Sequence, residues 1–129
     1  MTRKFLSALY FIVGVINIVP IMGVVGASSL EALYGVALDN PATILMMQHR
    51  AALLAIVGGL LVAACFKKEL RPAAAICGFV SMLSFMLLYS ASSVESLAGI
   101  YRADAVAVAI LTAACIWELA HLRGRKIET

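Results

Sequence analysis

Charge is scarce in this chain. Only 13% of its 129 residues are Asp, Glu, Lys or Arg, against about 25% in an average soluble domain. Cysteine is limited to three, an odd number, and none stands in a C-x-x-C pair. That argues against a disulfide framework and against a structural zinc site. No stripe of Lys and Arg is interleaved with aromatics, so no nucleic-acid footprint is present. No Gly-rich phosphate loop follows a strand pattern, and no nucleophile and base stand in a recognisable catalytic arrangement. The residues give no cofactor motif and no metal set, and the chain reads as non-catalytic.

What is present is hydrocarbon. The sequence is 64% hydrophobic with a mean hydropathy of +1.03. A chain of this length makes one domain, residues 1–129, and has too much surface for its volume to hide that much apolar area from water. Lipid is the solvent that removes the difficulty.

A bilayer core takes about 20 apolar residues of helix. Four stretches qualify: 5–27, 44–66, 73–90 and 105–122. The link Lys67-Lys68-Glu69-Leu70-Arg71-Pro72 is short, charged and ends in proline, as a helix–helix turn should. Arg3, Lys4, Lys67, Lys68, Arg71, Arg123, Arg125 and Lys126 then fall on one side, eight of the ten basic residues. Arg50 and Arg102 fall on the other side with Glu31, Asp39, Glu95 and Asp104. Loops rich in Lys and Arg stay in the cytoplasm, so both termini are expected there, in a bacterial inner membrane. The expected fold is an all-α integral membrane four-helix bundle. A cleaved signal peptide ending near Val25-Gly26-Ala27 is the rival for the first span. Its apolar run is long for a signal, and cleavage would leave an odd number of spans.

A shift of 64 positions lays Ala27-Ser28-Ser29-Leu30-Glu31-Ala32-Leu33-Tyr34-Gly35-Val36 over Ala91-Ser92-Ser93-Val94-Glu95-Ser96-Leu97-Ala98-Gly99-Ile100. Six of the ten positions are identical, and the same shift places Asn40 over Asp104. Two repeated helical hairpins are the expectation, related by an axis along the membrane normal. Each would carry an outer interfacial segment, 28–40 or 91–104, with a helix ending at Gly35 or Gly99. Asn40 and Asp104 would cap the returning spans, with Pro41 in the first turn of the second.

Few residues are chemically unusual. His49 and Arg50 lie about 12–14 Å into the second helix if Pro41 opens it, just inside the outer edge of the hydrocarbon. A cation there is costly and needs a partner or a route to water. Glu31, Glu95 and Asp104 are the available carboxylates. The cluster reads either as a structural ion pair or as a site for an anionic or quinone-like head group. Asn17 and Pro20 sit in mid-span, where the proline should kink the helix and Asn17 could bond to a freed group or across helices; the kink is the expected floor of any cavity, which makes Asn17 a sixth binding candidate beside His49, Arg50, Glu31, Glu95 and Asp104. Small residues recur at packing spacing in Ala51, Ala55, Gly59 and Ala63, in Cys77, Ser81 and Ser84, and in Ala105, Ala109 and Ala113. Glu118 and His121 share a face near the last inner turn and read as solvated ends.

Leu33-Tyr34-Gly35, followed by Gln48-His49-Arg50-Ala51 at the head of a glycine-rich span, resembles a group of small bacterial four-helix membrane proteins. The layout is similar to that of DoxX-like proteins over nearly the whole chain, through short motifs. Some of those are linked to quinone-coupled oxidation and others to stress resistance or accessory roles. The resemblance implies nothing for particular residues beyond the His49-Arg50 neighbourhood. Phosphopantetheine adenylyltransferase, a name some such sequences carry, does not fit. That enzyme is a soluble α/β protein with an H-x-G-H motif, which neither His49 nor His121 provides.

Three functions follow from the residues alone. The first is association with a membrane partner or with copies of itself. The second is binding of a lipid or quinone head group near His49, Arg50 and the loop glutamates. The third is a subunit of a redox or transport system.

Overall fold

The computed structural model describes residues 2–35, 37–92 and 94–127. Val36 and Ser93, one in each aligned outer segment, lie outside the described residues. Helix α1 spans Thr2–Ile18 and continues as a 3-10 stretch, Val19–Val25. Helix α2 spans Ala27–Tyr34, α3 Pro41–Phe66, α4 Arg71–Ser90 and α5 Ala98–Ile127. Short 3-10 turns, Lys68–Leu70 and Glu95–Leu97, precede α4 and α5.

Four stretches are long and apolar enough to cross a bilayer: Lys4–Val25, Pro41–Phe66, Lys68–Ser90 and Glu95–His121. Large apolar side chains face outward along them, among them Met46, Ile56, Val80, Leu88 and Ile116. A folded soluble chain does not present so continuous an apolar surface. The protein is a multi-pass membrane protein, an all-α bundle of four spans.

The bundle is square. α1 packs on α3 and α5, and α4 packs on the same two, so α1 faces α4 and α3 faces α5 across the axis. Its core joins Leu6, Tyr10 and Val13 of α1 to Leu61 and Ala64 of α3, Ala74 and Met82 of α4, and Ala107, Leu111 and Ala114 of α5. The closest approach is between α1 and α3. A Cβ on Gly14 would lie 2.9 Å from the Gly58 carbonyl oxygen, and one on Gly58 would lie 2.6 Å from that of Gly14. These two backbones touch because neither residue has a side chain.

The structure decides which of the small residues turn inward. Gly59 is exposed and has open space beside it. Cys77, Ser84, Ala109 and Ala113 are exposed as well. The inward positions are Ala51, Gly58, Leu61 and Ala64 in α3, and Ala74, Ala75, Gly78 and Met82 in α4. Spacing alone could not choose between faces, because both sides of these helices are apolar.

Pro20 acts as its chemistry requires. Lacking an N–H, it cannot bond to the Ile16 carbonyl, and the α-helix tightens to a 3-10 helix from Val19. The carbonyl of Val24, near its end, accepts from Gln48 Nε2 at 3.1 Å. Gly35 ends α2 in the left-handed region, φ 64°, with its N–H donating to the Glu31 carbonyl at 2.8 Å. Asn40 caps α3, its Oδ1 accepting from the Ala42 N–H at 2.9 Å, and Pro41 opens that helix.

The second outer segment departs from the expected repeat. Gly99 lies in the first turn of α5 rather than at a helix end, and Asp104 lies inside α5 rather than at its cap. The reason is one residue. The shift that sets Asn40 over Asp104 sets Pro41 over Ala105. Proline forces a helix to begin, whereas alanine lets it extend backwards. α5 runs back through Asp104 to Ala98, and the carboxylate turns from a cap into an inward-facing group.

Candidate functional site

Each end of the bundle holds an arginine among polar groups, and the two are built differently. Arg71 is the first residue of α4 and is 5% exposed. Its Nε donates to the Ala64 carbonyl at 3.2 Å. Nη1 donates to Glu118 Oε1 and Nη2 to Ser7 Oγ, both at 3.2 Å. Ser7 Oγ in turn donates to the Cys65 carbonyl at 2.9 Å, and Tyr10 OH donates to Glu118 Oε2 at 3.5 Å. The Tyr10 ring lies 5.5 Å from the guanidinium carbon. One side chain on α4 thereby ties to α1, α3 and α5. In an apolar interior a charge is tolerated only when so completely paired.

Sequence reasoning missed this cluster. Arg71 was hidden in a charged turn whose other cations, Lys67 and Lys68, are exposed. Helical spacing puts Glu118 on one face with His121, yet the structure separates them. His121 stacks on Trp117 at 5.4 Å while Glu118 turns inward to Arg71. The available signal was Ser7 and Tyr10, three apart on one face of α1, with a carboxylate near the same end of α5.

At the other end Arg50 is half-buried on α3. Its guanidinium carbon lies 4.5 Å from the Phe85 ring centroid and 5.9 Å from that of Tyr34. Among the described residues the one ion pair is Arg71–Glu118, and no described group accepts a hydrogen bond from Arg50. The guanidinium opens instead on a cavity of about 390 Å³ between α1, α2, α3 and α5. Asn17, Tyr34, Gly99 and Asp104 line it with apolar Ile16, Leu54 and Ile100. Burial pushes the Tyr34 hydroxyl up from its ordinary value, and the Arg50 charge opposes that shift. Asn17 Nδ2 donates to the Val13 carbonyl at 3.0 Å and reaches Met82 Sδ on α4 at 3.8 Å. Both contacts use the nitrogen, which leaves Oδ1 for an occupant.

Of the six binding candidates, Arg50, Asp104 and Asn17 share this cavity. His49 is exposed beside Arg50 and does not line it. Glu31 is used locally, its Oε1 accepting from the Leu38 N–H at 2.8 Å to hold the chain after α2. Glu95 is exposed. The carboxylate facing Arg50 is thus Asp104 and not the two loop glutamates. No three His, Cys, Asp or Glu side chains converge on a metal-sized point among the described residues. The three cysteines are free thiols.

No protein-family model matches this sequence, and no curated protein and no solved structure is significantly similar to it.

Proposed function

We propose that this is a non-catalytic membrane protein that holds the polar head of a membrane amphiphile, a lipid or a quinone, in the Arg50 cavity. One observation carries the reading: the Arg50 guanidinium, half-buried and without a described acceptor, opens on an apolar cavity that also holds Asp104 and Asn17. An apolar pocket with a few convergent polar groups is how such ligands are held. The uneven distribution of Lys and Arg supports a bacterial inner membrane with both termini in the cytoplasm. The four-span layout supports kinship with DoxX-like proteins. Transport through one chain is disfavoured, because Val13, Leu61, Met82 and Leu111, all 1% exposed or less, fill the bundle between the two arginines.

Purification in a mild detergent followed by native mass spectrometry tests the proposal. The wild-type chain should retain an amphiphile that Arg50→Ala loses. A wild-type chain that carries no bound amphiphile in any mild detergent overturns it.

A second reading, self-association, is favoured by the outward small residues Gly59, Ala109 and Ala113. Such surfaces let helices of neighbouring chains approach closely. Cross-linking in native membranes should then give dimers or higher species that Gly59→Leu abolishes, and a strictly monomeric chain rejects it.

A further inference from the structure

The Arg50 cavity is one of two clefts that meet at the same residues. The second, of about 380 Å³, lies between α3 and α4 and is lined by Leu53, Val57, Phe85 and Leu88. Arg50, Leu54 and Asp104 line both. α3 and α5 are diagonal in the bundle, so the guanidinium and the carboxylate stand on opposite walls of the joined opening. They do not close on each other, as the ion pair at the far end does. Two opposite charges are thus held apart over a space whose remaining walls are mostly apolar.

The Phe85 and Tyr34 ring centroids lie 4.5 and 5.9 Å from the guanidinium carbon, and these cation–π contacts use none of the N–H groups, which form the planar fork that binds phosphate oxygens. A ligand complementary to both walls carries an anion for Arg50 and a hydrogen-bonding cation for Asp104. A purely anionic head meets repulsion from Asp104. A trimethylammonium head has no N–H to give the carboxylate. A neutral head uses neither charge. The apolar clefts suit acyl chains leaving toward the bilayer.

Building on the cavity reading above, we infer that the site selects a zwitterionic phospholipid with a primary ammonium. Its phosphate lies on the Arg50 guanidinium and its ammonium on the Asp104 carboxylate. The ethanolamine head group has this chemistry.

The full-length protein, equilibrated with vesicles of equimolar phosphatidylethanolamine, phosphatidylglycerol and phosphatidylcholine of matched chains and then analysed by native mass spectrometry, provides the test. Phosphatidylethanolamine should be retained about tenfold over either competitor, the effect of one hydrogen bond to a charged group. Asp104→Asn should remove that preference while lipid is still retained, and Arg50→Gln should lose the lipid. Arg50→Lys, which keeps the charge, should restore part of it and guards against misfolding. Soluble glycerophosphoethanolamine should not displace the lipid, and displacement would identify a free zwitterion as the ligand. Preference for phosphatidylglycerol, or an Asp104→Asn variant with unchanged selectivity, overturns the head-group assignment but leaves an amphiphile site. Retention of no amphiphile by the wild type overturns both.

Discussion

Arg71 and Arg50 sit at opposite ends of one apolar bundle, and their surroundings differ in how fully each charge is paired. Arg71 is almost fully buried, and each of its three nitrogens donates to a protein acceptor on another element or at its end. Arg50 is half-buried, lies over the Phe85 ring, and shares a cavity with the Asp104 carboxylate. The first arrangement is closed and locks helices together. The second has no described protein acceptor for its donors and lines a cavity. Completeness of hydrogen bonding, together with depth of burial, sets the two ends apart.

The largest expected effect lies at the closed end. Glu118→Ala leaves the Arg71 charge in the interior without its counterion and should destabilise the fold by about 3 kcal/mol. Thermal unfolding in detergent measures this. If Glu118→Ala melts like the wild type, the Arg71 cluster is not the fastener inferred here. Next comes the α1–α3 contact between the ends. Gly58→Leu forces apart backbones that touch and should cost about 1–3 kcal/mol. Its neighbour Gly59 has open space, so Gly59→Leu should change monomer stability by less than about 0.5 kcal/mol. Equal losses at both glycines would show that the register of α3 is wrong. The smallest effects belong to the open end. Arg50→Ala should lower the stability of the delipidated protein by less than about 1 kcal/mol, and His49→Ala by even less. An Arg50→Ala chain that unfolds as readily as Glu118→Ala would erase the contrast between the ends.

Much of this architecture was legible beforehand for local reasons. Asn40-Pro41 starts a helix and Gly35 ends one, because capping and φ depend on the residues themselves. Pro20 marked the change in α1 for the same reason. Arg50, Asp104 and Asn17 were all picked out as unusual, but their relations were not. Asp104 reads as a cap in the sequence yet lies inside α5, since its neighbour Ala105 does not enforce a start. Glu31 and Glu95 read as partners for Arg50 in the sequence, yet one holds its own loop and the other is exposed. Arg71 was overlooked because a charged turn looks the same in sequence whether its arginine points to water or inward.

Four crossings and the positions of their strongest breaks were determined by the order of residues alone. Hydropathy over some 20 positions and the missing N–H of proline act without reference to the rest of the chain. Which arginine would be sealed and which left open was decided only by the tertiary structure. That outcome depends on which side chains from diagonal helices meet at each end, and in helices apolar on every side no periodicity reveals the inward face.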